Sequence, residues 1–264
     1  MSDPHLLADG DYLITFTHDA ECGSSGGQCL PIANTCASRI ETINPATGGA
    51  KLRFTESGAW RVFDAVPSPR DRYVALIEQA CDGSTGRLVV HDLWTGRQHV
   101  AARNLSDCAL SSSATWTTNG AKLVFAFTQR SDPNDPGANC SLATAPAGRT
   151  TASSSWPLIR PDASCGFQSS AFDNTGLVAA ETCAPTKDSK LIQYSSRSRV
   201  VRRLSLAPWD YGVTTQVAAD PLAHTVLVSQ ITYTQPDVTT VWTFNGTKLH
   251  VVNVYFGSAI IAQP

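Results

Sequence analysis

Two glutamates and eight cysteines are the residues of this 264-residue chain best suited to chemistry. Glu78 and Glu181 each close a short apolar run, Tyr73-Val74-Ala75-Leu76-Ile77 and Leu177-Val178-Ala179-Ala180. Two carboxyls brought to one cavity can act as general acid and base, as in glycoside hydrolysis, or hold a cation. The plainer alternative is a pair of solvated or salt-bridged strand ends. His18, followed by Asp19 and Glu21, is a third catalytic candidate, because an imidazole held by a carboxylate is a general base. Trp60 and the run Trp209-Asp210-Tyr211 are ligand-binding candidates. Aromatic faces at a cavity rim stack on sugars and apolar ligands, and packing between structural units is the competing reading. Gly23-Ser24-Ser25-Gly26-Gly27 matches G-x-S-x-G in form, but a nucleophile elbow needs a strand before it and a helix after it. Here the motif lies between cysteines in a polar loop, so a turn is expected.

The cysteines are Cys22, Cys29, Cys36, Cys81, Cys108, Cys140, Cys165 and Cys183. The first three contain no C-x-x-C spacing, and His18 is the only nearby histidine, so disulfides are expected rather than zinc, with no metal and no cofactor. So many cysteines without a metal motif point to an oxidising compartment. Met1-Ser2-Asp3-Pro4 has neither the basic segment nor the apolar core of a leader, and the expectation is a mature secreted or periplasmic chain.

The elements that carry these residues recur five times. Second strands read Tyr12 to Phe16, Tyr73 to Ile77, Leu123 to Phe127, Leu177 to Ala180 and Val226 to Ser229. They follow turns such as Asp9-Gly10 and Asn119-Gly120, whose Asx-Gly chemistry supplies the positive φ of a tight hairpin. Third strands follow, among them Arg39 to Ile43, Leu88 to His91 and Thr240 to Phe244. Fourth strands include Gln98 to Ala101 and Thr150 to Ala152. Repeats of four strands predict a radial stack of small sheets: an all-β, five-bladed propeller of four-stranded antiparallel blades. The whole chain, 1–264, reads as one domain, with blades near 1–58 plus 257–264, 59–105, 106–158, 159–207 and 208–256. The apolar tail Ala259-Ile260-Ile261-Ala262 is expected to return as the inner strand of the first blade and close the ring, the alternative being a ragged end.

In a four-stranded up-and-down blade, all eight cysteines fall in loops that emerge on one face. Cys81 with Cys108 and Cys140 with Cys165 occupy equivalent repeat positions, and these two bridges are predicted. Cys22, Cys29, Cys36 and Cys183 allow three further pairings. Glu78 and Glu181 align at the ends of second strands, which would aim both at an axial funnel on the same face.

A net charge of −2 gives no reason to expect nucleic acid. The apolar stretches are strand length, so no membrane span is expected.

Ser68-Pro69-Arg70-Asp71-Arg72-Tyr73-Val74-Ala75, followed by His91-Asp92-Leu93-Trp94-Thr95-Gly96, resembles the repeat of TolB-like propellers. Thr117-Thr118-Asn119-Gly120 and Phe172-Asp173-Asn174-Thr175-Gly176 resemble weaker copies. The resemblance implies the propeller architecture and, through relatives that are periplasmic scaffolds or peptidase cap domains, no single activity. The expected function is a binding module for a small molecule, glycan or protein at the cysteine-rich face. The rival is an enzyme, of hydrolase, lyase or cyclase type, with Glu78, Glu181 and His18 in the axial funnel.

Overall fold

The computed structural model describes residues 5–7, 9–18, 20–21, 30–31, 36–105, 114–127, 140–149, 157–162, 165–173, 176–183, 188–195, 197–206, 213–220, 225–232 and 238–256. They form five four-stranded antiparallel sheets, each strand beside the next in chain order, arranged as a five-bladed β-propeller. From inner to outer strand, blade 1 is His5–Leu6, Tyr12–His18, Cys36–Ile43 and Ala50–Gly58. Blade 2 is Trp60–Pro67, Tyr73–Ala80, Gly86–Asp92 and Gln98–Leu105. Blade 3 is Thr115–Trp116, Lys122–Phe127, Ser141–Pro146 and Leu158–Ile159. Blade 4 is Cys165–Asp173, Gly176–Cys183, Asp188–Tyr194 and Val200–Ser205. Blade 5 is Val213–Asp220, Thr225–Thr232, Val238–Phe244 and Leu249–Phe256. A two-stranded hairpin, Ala20–Glu21 with Leu30–Pro31, stands apart.

Stacking buries both faces of the second strands, which explains their unbroken apolar runs. In blade 2, Val74 and Leu76 pack toward blade 1 with Leu13, Ile40 and Val62. Ala75 and Ile77 pack toward blade 3 with Trp116, Leu123 and Phe125. Two further apolar clusters fill the junctions of blades 3 with 4 and 4 with 5. Trp116 is buried in the core, and its indole Nε1 also donates to the Val66 carbonyl at 3.0 Å, tying blade 3 to blade 2.

The repeated turns owe their shape to local polar chemistry. Asp92 Oδ1 accepts from the backbone N–H groups of Trp94 and Thr95, and Gly96 follows with φ +68°. Asn44 does the same for Ala46 and Thr47, and Asn245 for Thr247 and Lys248. A short side chain that mimics a backbone acceptor closes each of these outer turns. At the inner turns, Ser68 Oγ accepts from Tyr73 N–H and Thr117 Oγ1 from Lys122 N–H.

His5–Leu6 pairs with the second strand of blade 1 on its inner side. The tail proposed to close the ring, 257–264, lies outside the described residues, as do Thr150 to Ala152; the strand paired outside Ser141–Pro146 is Leu158–Ile159. Among the described residues, no helix is long and apolar enough to cross a membrane.

Candidate functional site

The five described cysteines all sit at one end of the strands. Cys36 and Cys165 begin strands, Cys81 and Cys183 lie at or just beyond the ends of second strands, and Cys140 immediately precedes a third strand. The bridges are not the predicted ones. Cys81 pairs with Cys36, not Cys108, and Cys165 pairs with Cys183, not Cys140. Cys140 is also disulfide-bonded, while Cys22, Cys29 and Cys108 lie outside the described residues. The reason is lateral. The start of the third strand in blade 1 lies across the junction from the end of the second strand in blade 2. Cys165 and Cys183, in contrast, are directly opposed on neighbouring strands of blade 4. Equivalent positions in the repeat share a face but not a neighbour.

Glu78 occupies the junction of blades 1 and 2. It continues the side of its strand that carries Val74 and Leu76, and it is 0% exposed. Its cross-strand partner is Arg87, whose Nε donates to Glu78 Oε2. The Arg87 guanidinium carbon lies 4.0 Å from the centroid of the partly buried Trp60 ring, a cation–π contact that fixes its plane. Glu56, on the outer strand of blade 1, faces the same charges and is half-buried. Burial pushes the Glu78 carboxyl up to about 7, against the lowering effect of the Arg87 hydrogen bond and charge, and the Glu56 charge adds to the rise. Burial likewise raises Glu56, partly offset by Arg87. Glu78 Oε1 is buried and has no hydrogen-bond partner among the described residues. A buried acceptor left open in this way costs on the order of 1–3 kcal/mol until something donates to it.

Glu181 is the repeat equivalent in blade 4, at the junction with blade 3. It follows Leu177 and Ala179 on the side that packs with Phe167, Ile192 and Tyr194. Lys190 is its cross-strand partner, as Arg87 is for Glu78. Glu181 Oε1 accepts from Asp162 N–H at 2.9 Å, while Oε2 is buried without a partner among the described residues. Burial raises its pKa, and so does the Asp162 charge; the Asp162 N–H bond, Lys190 and Arg203 oppose the rise. Tyr194 is raised as well, by burial and by the Glu181 charge. The groups acting on the two glutamates are entirely different, so each carboxyl belongs to its own blade junction and its own cluster.

Trp60 is brought to Glu78 through Arg87. For His18 only the backbone is described, at the end of the second strand of blade 1. Trp209, Asp210 and Tyr211 lie outside the described residues. The sequence reading missed a further pair: His5 Nε2 and Asp64 Oδ1, 2.9 Å apart and both buried, which join the inner strands of blades 1 and 2. The two residues are 59 positions apart, and no local pattern links them.

No protein-family model matches the chain, and no curated protein matches it. Solved structures do. A prolyl endopeptidase superposes with a TM-score of 0.57 at 11% identity, covering 96% of this chain and 35% of that one. TolB from Acinetobacter baumannii gives 0.55 at 10% identity, covering 81% and 48%. Regucalcin from Agrobacterium tumefaciens, a calcium-binding protein, gives 0.51 at 13% identity, covering 86% and 66%. The chain thus spans about a third of the prolyl endopeptidase and about half of TolB. At such identities the likeness is one of fold.

Proposed function

We propose that this protein is an exported, TolB-like propeller that works as a binding module and takes a small polyhydroxyl ligand, of glycan type, at the junction of blades 1 and 2, beside Trp60. One observation carries the reading: the buried Glu78 carboxyl keeps an open acceptor oxygen beside an arginine stacked on a tryptophan. Planar polar groups around an aromatic ring suit neighbouring hydroxyls, which donate to carboxylates and accept from guanidinium. The disulfides and the likeness to TolB support an oxidising location. An enzymatic reading rests on the Glu78 pKa of about 7, which suits a general acid or base at neutral pH. In that reading Glu56, which shares Arg87 with Glu78, is the second carboxyl in place of Glu181.

A thermal-shift screen of saccharides and polar metabolites against the oxidised protein, followed by calorimetry, tests the proposal. Glu78→Gln and Trp60→Ala should each weaken a hit at least tenfold. A hit bound equally well by both variants would refute the site. Chemical turnover of a hit, lost in Glu78→Gln, would select the enzyme.

A further inference from the structure

The bridge between Cys165 and Cys183 differs in kind from the one between Cys36 and Cys81. The latter links two blades across a 45-residue separation. The former links directly opposed residues of a strand pair whose register already runs from Cys165 with Cys183 to Asp173 with Gly176. Backbone hydrogen bonds hold these strands together without it, so as a staple it is largely redundant.

Its surroundings suggest another use. The two sulfurs and one carboxylate oxygen of Glu181 lie within 4.8 Å of one another, and all three residues are buried. Glu181 Oε2 is the buried acceptor without a partner. Donors around a tetrahedral zinc ion, at bond lengths of roughly 2.0–2.3 Å, stand about 3.3–3.8 Å apart. Once the sulfur–sulfur bond is broken, side-chain rotations part the two sulfurs and bring the carboxylate oxygen in to this spacing.

We propose that cleavage of the Cys165–Cys183 bridge by a dithiol reductant turns this position into a binding site for a soft divalent cation of the zinc class, with both thiolates and the Glu181 carboxylate as ligands. The dithiol supplies two electrons and two protons to the bridge and becomes a disulfide itself. The incoming cation then displaces the two thiol protons to solvent, and a water completes four-coordination. Two thiolates and a carboxylate leave one negative charge in excess over a divalent ion. Lys190 and Arg203, whose charges both act on Glu181, offset it. Sheet pairing keeps the sulfurs opposed in the reduced chain, and the oxidised chain offers no thiolate.

Cobalt(II) is the probe, titrated into the full chain before and after reduction with a phosphine. The reduced protein should develop near-ultraviolet thiolate-to-cobalt absorption and visible bands of tetrahedral type, both displaced by one equivalent of zinc. The oxidised protein should develop neither. Reduction also opens the other bridges, so the Cys36→Ser/Cys81→Ser variant should keep the bands and Cys165→Ser/Cys183→Ser should lose them. Glu181→Gln, which leaves every cysteine in place, should weaken cobalt binding at least tenfold, with far-ultraviolet circular dichroism confirming the fold. Absence of the bands from the reduced wild type, their persistence in Cys165→Ser/Cys183→Ser, or unchanged affinity in Glu181→Gln would each overturn the proposal. The junction of blades 1 and 2 takes no part in it, so the fate of this proposal is independent of the ligand screen.

Discussion

Glu78 in blade 2 and Glu181 in blade 4 stand at the same step of the repeat, each opposite a basic residue on the third strand, and yet they are held differently. Glu78 meets Arg87 directly, and Trp60 braces the arginine. Glu181 takes a backbone N–H from Asp162, and Lys190 reaches it by charge alone. The repeat places a carboxyl between two blades; the particular neighbours in its own blade, the preceding blade and the crossing loop decide its chemistry. The bridges beside them divide likewise, one joining blades and the other joining strands. A repeat therefore fixes position more firmly than partnership.

The largest way to sharpen this contrast is to remove each bridge. Replacing Cys36 and Cys81 by Ser should cost about 4 kcal/mol in denaturant unfolding, since the bridge closes a loop of 45 residues. Replacing Cys165 and Cys183 should cost at most about 3 kcal/mol, because their loop is shorter and its strands are already paired. Equal losses would erase the distinction.

The carboxyls come next. Glu78 has a folded pKa raised above its unfolded value. Its contribution is therefore fully present below about pH 4.5, where both states are protonated, and is lost as pH rises to about 7, because the unfolded chain releases the proton first. The loss should total about 3–4 kcal/mol, at roughly 1.4 kcal/mol per unit, and Glu78→Gln should abolish it. Glu181→Gln should flatten the same profile further, in the same direction. Stability that does not fall over this interval in the wild type would contradict the burial of both groups. Arg87→Met removes the charge that holds Glu78 down, so the upper end of the window should move above pH 7, as carboxyl titration by NMR would record. Lys190→Met should shift Glu181 upward by less, since no hydrogen bond is lost there.

The smallest effect concerns the brace. Trp60→Leu should cost about 1 kcal/mol from the loss of one partly exposed cation–π contact. Measured by denaturant unfolding, this loss should vanish in an Arg87→Met background; a loss that persists there would show that Trp60 acts through packing alone.

Much of the fold was legible because its signals are local. Asp92 and Gly96 announce their turn through chemistry spanning five residues, and Asn44 and Asn245 repeat it. Unbroken apolar runs such as Val74 to Ile77 mark strands covered on both faces. The strand Leu158–Ile159 of blade 3 was not legible, because two residues carry too short a pattern to stand out. The candidate carboxyls were found through their repeat position, but their expected meeting in the axial funnel rested on the face alone. Side chains at those positions point sideways between blades, where Glu78 and Glu181 meet different neighbours.

Local order along the chain determined the five blades, their turns, the common end that carries the cysteines and the two buried carboxyls, since hairpins and alternation act over a few residues. Tertiary packing decided the rest: within a blade Cys165 faces Cys183 and Arg87 stacks on Trp60, and between blades Cys81 reaches Cys36 and His5 meets Asp64 across 59 residues. The contacts between blades depend on the rotation between neighbouring sheets, and those within a blade on pairing across the loops; no short stretch of residues encodes either.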